Sequence, residues 1–392
     1  MNLLFNAESL RPPVTGVGHY SLHLLEQFLR SDEVESVHCF TGTHWQNGEQ
    51  QLAATAAHLG DQAAAGSAAK PLVQTLREAI GAIPGTKALY DKLMDRRFER
   101  YANAVPDAIY HETNYLLKPY AGPCVTTVHD LSHMRYPQFH PEHVVKRLNT
   151  MLPRTLARAD HVITVSDVVR DELLQAFPLP PEKVTTIYEG VDARYVPRTR
   201  EEVAPVLDEY GLAYQQYVLL VATLEPRKGI DVLLAAWEML PLELRKQYPL
   251  VLTGSSGWRN APLLAQIEAL KAEGSVRHLG YVPSTRLPSL FSGATVFAYP
   301  SVYEGFGLPV LDAMSSGVPV ICRAGTSMAE FAQGACLLCD SSEPAELAEK
   351  LRGLLDDKEA RTKWGERGLQ RAAAFSWERC ARETQAVYRA LR

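Results

Sequence analysis

A chain of 392 residues exceeds what one ordinary hydrophobic core organises, so two domains are expected. With 46% apolar residues, 22% charged residues and a formal net charge of −5, the composition is globular and offers no electrostatic footprint for nucleic acid. The N-terminal MNLLFNAESLRPP has no basic leader, no run reaches the roughly 18 apolar residues of a membrane span, and six cysteines are too sparse for a disulfide framework, so a cytoplasmic protein is expected.

Strand candidates follow one another along the first half: NLLFNA, SVHCFTG, DAIYHE, CVTTVHD, HVITVSD and VTTIYEG. The second half repeats the rhythm with QYVLLVATL, PLVLTGSS, VRHLGYV, TVFAYPS, VPVICRA and ACLLCD. Helical segments alternate with them; Ile230, Leu233, Leu234, Trp237 and Leu240 show the spacing. Near-continuous apolar strands separated by helices predict parallel sheets covered on both faces, and the doubled rhythm predicts an α/β protein of two doubly wound, Rossmann-like domains. The boundary is placed after VTTIYEGVDARYVPR, where Pro197 and the charged run TREE interrupt the pattern. This gives a first domain of residues 1–198 and a second of 199–374. The amphipathic FSWERCARETQAVYRAL is read as crossing back, as residues 375–392, onto the first domain.

Two segments stand apart. Residues 46–100 hold an Ala/Gln-rich stretch and a basic one, with seven basic against four acidic residues from Lys70 to Arg100. It reads either as a solvated helical excursion or as a basic surface, residues 70–100, that approaches anionic inner-membrane lipid. Cys336 and Cys339 form a CxxC in an apolar run without a second CxxC or a His pair, which reads as buried strand thiols and not as a metal site.

In open α/β sheets ligands bind beyond the carboxyl ends of the strands, so function is sought on the loops there. In VYEGFGLPVLDAM, Glu304 leaves a strand, Gly305 and Gly307 let backbone approach a ligand, and Pro309 suits the first turn of the next helix. Asp312 follows within the first helical turns. The segment suits a ligand with hydroxyls and negative charge; a tight turn with a dipole-complementing acid is the alternative. In LLVATLEPRKGIDVLL, Glu225, Arg227 and Lys228 follow a strand and Gly229 opens a helix, so the two cations can neutralise a diphosphate or form a solvated basic turn.

In PPVTGVGHYSLHLLEQFL, Gly16 and Gly18 precede a helix predicted to begin near Tyr20. Position 21 is Ser and HCFTG lacks a terminal acid, so no nicotinamide cofactor is expected; a loop lining the cleft fits better. His129 and Asp130 sit at a further strand end, and Ser166 at the next, as a helix cap or a phosphate donor. His133, His140 and His143 are scattered and are not read as a metal site. No DxD triplet occurs, which leaves a diphosphate to Arg227 and Lys228 without a bridging divalent cation.

The combination GVGHY, VHDLSH, VSDVVRDEL, EPRKGIDVLL, LTGSSGW, LGYV, YPSVYEGFGLPVLDAM and FSWERCA resembles the retaining glycosyltransferases of family 4, which have the GT-B fold. The likeness runs nearly end to end. Its most specific piece is the E-x7-E pattern on Glu304, from which this chain departs by carrying Asp312 at the second acid. The resemblance implies that Glu304 contacts the donor sugar and that Gly305, Phe306, Gly307 and Leu308 meet sugar and phosphate through their backbone. By the same likeness Arg227 and Lys228 bind the diphosphate, Gly254 and Asp312 stand on the donor side, and Gly16 and Gly18 line the cleft near the phosphates. His129 would face the sugar ring from the acceptor domain, with Asp130 and Ser166 on the acceptor side.

The implied reaction moves a hexose from a nucleotide sugar with retention, the leaving phosphate taking the acceptor proton. GDP-mannose or GDP-rhamnose is the favoured donor and a UDP-hexose the competitor. A saccharide or lipid-linked saccharide of lipopolysaccharide O-antigen type is the acceptor, no metal or bound cofactor is required, and the cytoplasmic face of the inner membrane is the implied place. A sugar-nucleotide epimerase, a phosphorylase and an inactive sugar-nucleotide-binding scaffold are the rival readings.

Overall fold

The computed structural model describes residues 1–12, 14–64, 86–255, 261–340 and 343–392. Two sheets carry the chain. The first is ordered β3-β2-β1-β4-β5-β6-β7, from β1 (Asn2–Asn6), β2 (Ser36–Phe40), β3 (Trp45–Asn47), β4 (Ala108–Glu112), β5 (Cys124–Val128), β6 (His161–Thr164) and β7 (Val184–Thr186). The second is ordered β10-β9-β8-β11-β12-β13, from β8 (Val218–Val221), β9 (Leu250–Thr253), β10 (Val276–Gly280), β11 (Val296–Tyr299), β12 (Val320–Arg323) and β13 (Leu337–Cys339).

Every described pairing is parallel except β2 with β3, an antiparallel edge pairing that the strand pattern did not announce. Alternate residues of one strand feed opposite layers, as period-two geometry requires. Leu3 and Phe5 pack with Phe28 of the helix Gly16–Leu29, while Leu4 packs with Phe98 of the helix Thr86–Ala102 on the other face. In the second sheet Leu219, Val251, Phe297 and Ile321 lie in one continuous core, with no exposure. Strand order reverses between β1 and β4 in one sheet and between β8 and β11 in the other.

Two local expectations need correction. The run TREE does not interrupt structure; it starts the helix Arg200–Glu209. Thr199 accepts from Glu202 N while Glu202 accepts from Thr199 N at 2.7 Å, a reciprocal capping box. The first helix begins at Gly16, not near Tyr20, so both glycines lie in its first turn.

The last helix, Trp377–Ala390, packs against the first one and buries Trp377, Cys380, Ala381 and Tyr388 among residues of the first sheet. Further contacts tie the two sheets' loops together. Ser166 Oγ donates to the Gly305 carbonyl at 2.7 Å, Leu131 N donates to the Tyr303 hydroxyl at 3.0 Å, and that hydroxyl donates to Glu172 at 2.5 Å. Glu330 accepts from Asp167 N, Val168 N and the Tyr188 hydroxyl, so a carboxylate of the second half caps the helix Asp167–Ala176 of the first.

Cys336 and Cys339 are buried free thiols, as their apolar surroundings predicted, with Cys336 Sγ 3.4 Å from Cys322 Sγ. The basic stretch read over 70–100 lies largely outside the described residues. Its described end is the helix Thr86–Ala102, where Lys92, Arg96, Arg97 and Arg100 are exposed. No helix among the described residues is long and apolar enough to cross a membrane.

Candidate active site

Between the two sheets lies a cavity of about 660 Å³, walled by strand-end loops of both. Its second-domain wall forms at the β8/β11 reversal. After β8 a short turn, Pro226–Lys228, is followed by Gly229 at φ +64°, and a Cβ there would stand 2.3 Å from the Pro300 carbonyl. Only glycine permits that turn and that approach. The Arg227 carbonyl then accepts from Val302 N at 2.8 Å, which pins the basic turn against the loop after β11.

This juxtaposition creates a buried ionic cluster. Glu304 Oε1 accepts from Lys228 Nζ at 2.7 Å, Ser301 Oγ at 2.6 Å and the Tyr299 hydroxyl at 3.1 Å. Arg227 Nη1 donates to the Tyr303 carbonyl at 2.6 Å and reaches Glu304 Oε2 at 3.4 Å, while its Nη2 donates to Glu225 at 2.9 Å. Burial alone would raise the Glu304 carboxyl, but Lys228 and Arg227 outweigh it and hold the group down at about 2. Glu304 is therefore a permanent carboxylate. Its two cations are at the same time fixed in place, with Glu225 as the second anion of a charge-matched quartet.

The glycine loop behaves as its composition predicts. Gly307 has φ +111° and caps the helix Leu308–Ser315, with Pro309 in the first turn. A Cβ on Gly305 would lie 1.9 Å from the His129 carbonyl, so this glycine permits a close approach of the two domains. Gly254 ends β9 at φ +142°, where a Cβ would meet the Ala222 carbonyl at 1.9 Å. All three line the cavity, as do Leu308 and Phe306, whose ring is buried in a stack on Phe331 at 4.6 Å. Asp312 also lines it; burial, then Asp192, pushes its carboxyl well above the ordinary range.

On the first-domain wall, His129 is held through one ring nitrogen. Nε2 lies 2.8 Å from the Thr113 carbonyl, which can only accept, so Nε2 carries the proton and Nδ1 faces Glu189 at 3.5 Å. Asp130 lines the cavity but its Oδ1 takes the Tyr115 hydroxyl, Ser132 N and Ser132 Oγ. Gly16 lines the cavity with open space beside it.

Two expected residues fall elsewhere. Gly18 is a packing glycine: a Cβ would lie 2.6 Å from the Ser9 carbonyl. It does not line the cavity. Ser166 is fully buried, accepting from Val169 N as a helix cap and donating to the Gly305 carbonyl, so its hydroxyl is committed to the domain junction.

A second polar wall, with no counterpart among the expected site residues, also lines the cavity. Glu189, Asp192 and Arg194 follow β7, and His19 and His23 face them from the first helix. Burial, then His23, brings His19 down to about 4. The rule that located Glu304, a charged loop directly after a strand, would also have pointed to YEGVDAR. Among the described residues no group of three or more His, Cys, Asp or Glu could hold a metal ion.

Residues 14–195 match the family model described as Glycosyltransferase Family 4, and residues 211–371 match that of Glycosyl transferases group 1. The chain is 36% identical over 391 residues to O-antigen chain mannosyltransferase B of Escherichia coli, covering all of both chains. It is 27% identical to the serotype-specific mannosyltransferase WbdA of Escherichia coli over 57% of this chain and 28% of that protein. Among solved structures, Anabaena HepE in complex with UDP and glucose superposes with a TM-score of 0.70 at 18% identity, covering 99% of both chains. WaaG, a glycosyltransferase involved in lipopolysaccharide biosynthesis, superposes with a TM-score of 0.69 at 14% identity over 99% of each. The last two likenesses concern the fold.

Proposed function

The chain belongs to the family 4 glycosyltransferases, and from that premise we propose that it transfers mannose, with retention at the anomeric carbon, from GDP-mannose to a saccharide acceptor in O-antigen-type polysaccharide assembly. Mannose is preferred to rhamnose because the full-length relative is a mannosyltransferase. The observation that carries the reading is the quartet of Glu304, Lys228, Arg227 and Glu225 at the β8/β11 reversal.

In this reading the ionised Glu304 accepts from donor-sugar hydroxyls. Lys228 commits two of its N–H groups to Tyr299 and Glu304, which leaves the third for a phosphate oxygen. Arg227 keeps its Nε for the same purpose. As the bond to the sugar breaks, negative charge grows on the diphosphate, and cations already fixed by Glu225 and Glu304 stabilise it without reorganising. The helix start at Leu308 adds N–H groups toward the same anion. That role falls to Arg227 and Lys228 rather than to a divalent ion, and the leaving phosphate takes the acceptor proton. His129, held through Nε2 by the Thr113 carbonyl, shapes the wall beside the sugar.

Residues 1–198 serve as the acceptor side, 199–374 as the donor side, and 375–392 return to the first domain. The exposed Lys92, Arg96, Arg97 and Arg100 would turn this face toward anionic lipid when the acceptor is lipid-linked.

Proton NMR of the product made from GDP-mannose and a mannose-terminated oligosaccharide tests the chemistry. An α-linkage from the α-configured donor supports retention, and a β-linkage contradicts it. A UDP-hexose as the sole productive donor would replace the donor but keep the reaction class.

A further inference from the structure

Four consecutive backbone carbonyls of the loop that carries Glu304 are each taken by a side chain. Arg227 Nη1 donates to the Tyr303 carbonyl at 2.6 Å, Ser327 Oγ to those of Glu304 and Phe306 at 2.7 Å and 3.1 Å, and Ser166 Oγ to that of Gly305 at 2.7 Å. A peptide unit is planar, so fixing its C=O fixes the N–H on the opposite edge. The orientations of the Gly305, Phe306 and Gly307 N–H groups are thereby set by two serines, both of them buried.

Both serines depend on one helix of the first half, Asp167–Ala176. Ser166 is its N-cap. Ser327 opens the helix Ser327–Phe331, and Glu330 of that helix takes Asp167 N at 2.9 Å and Val168 N at 3.0 Å, one on each carboxylate oxygen. Further along, Glu172 accepts from the Tyr303 hydroxyl at 2.5 Å, while Arg135 holds its other oxygen at 3.0 Å. One helix therefore reaches the residue before Glu304, the residue after it, and the helix that carries Ser327.

Contacts that merely fastened the two halves would be spread over the junction, and the last helix, Trp377–Ala390, already fastens them. These instead converge on successive peptide units beside the Glu304 carboxylate, the group assigned to the donor's hexose. Arg227 and Lys228, the cations assigned to the diphosphate, are held by the carboxylates of Glu225 and Glu304.

Resting on the glycosyltransferase reading, we propose that the helix Asp167–Ala176 sets the loop that meets the donor's hexose. Glu172 and Glu330 are its positioning residues, acting through Tyr303 and through Ser327, so the hexose side of the donor site is complete only while the two halves are engaged.

Transfer kinetics with GDP-mannose, calorimetric titration with GDP and amide hydrogen exchange of the full chain test this. Tyr303→Phe and Glu330→Ala should each lower kcat at least about tenfold, the cost of one hydrogen bond to a charged group, and leave the GDP dissociation constant within about threefold. Glu330→Gln, which keeps one oxygen for a helix N–H, should recover part of that loss. Glu172→Ala added to Tyr303→Phe should cost little more than the worse of the two alone, because both break the same bond. Exchange across residues 301–308 should be faster in Tyr303→Phe and in Glu330→Ala than in wild type, a readout that needs no turnover. Wild-type kcat in both single variants, GDP affinity falling in parallel with kcat, or unchanged exchange across 301–308 would overturn the proposal. Faster exchange in the variants of a protein that turns over no GDP-sugar would support the helix's hold on the loop and count against the donor reading.

Discussion

Lys228 Nζ stands 2.7 Å from Glu304 Oε1, and the two side chains are only 11% and 12% exposed. Each ion is tolerable in that setting because the other is present. Removing Lys228 leaves the buried Glu304 with two hydroxyls and only the 3.4 Å contact to Arg227, at a cost of up to about 3 to 5 kcal/mol. Lys228→Ala should therefore lose stability of that order in denaturant titrations. It should also lower transfer by at least about 100-fold, because a preorganised cation is missing where charge develops. Turnover within a few-fold of wild type would remove Lys228 from the mechanism.

The same pair sets an acid limit. A carboxyl held below its ordinary 4.5 contributes stability that is present above that pH and is lost as pH falls toward 2. The stability gap between wild type and Lys228→Ala should therefore close between pH 4.5 and 2. A gap independent of pH over that range would show that the Lys228–Glu304 attraction is not its source.

Glu112 has the opposite sign. Burial raises its carboxyl from 4.5 to about 7, so the folded chain holds a proton that the unfolded chain has released. Stability from this source is complete below pH 4.5 and declines as pH rises through 7, by on the order of 3 kcal/mol. Glu112→Gln should flatten that decline, as read by melting curves at pH 4.5 to 8. An unaltered slope would mean that another group titrates.

The glycine loop separates domain contact from fold. A Cβ at position 305 would come within 1.9 Å of the His129 carbonyl, in the other domain. Gly305→Ala should abolish transfer while both domains stay folded, because relief is available only by moving the domains apart. An increased radius of gyration with unchanged circular dichroism is the expected signature. A fully active Gly305→Ala would show that this approach is dispensable.

Much of this architecture was legible in the chain because parallel strands covered on both faces are near-continuously apolar. QYVLLVATL and TVFAYPS announce β8 and β11 in that way, and the carboxyl-end rule then leads to Arg227, Lys228 and Glu304. What resisted reading depends on distant partners. β3 is three residues of WQN with no apolar run, and it exists only through its pairing to β2. Gly18 looked like loop because its reason is the Ser9 carbonyl, and Ser166 looked available because its acceptor, Gly305, is 139 residues away. The capping box at Thr199 and Glu202 was written in the sequence, but its charges masked it as a break.

Nucleotide release tests the donor and the role of Lys228 together. Wild type and Lys228→Ala would be incubated with GDP-mannose, GDP-rhamnose and UDP-hexoses, with EDTA present and with or without a mannose-terminated oligosaccharide. Wild type should release GDP from GDP-mannose alone and only with acceptor present, and the variant should do so at least about 100-fold more slowly. Absence of release from every donor, or release that survives loss of Lys228, would contradict it.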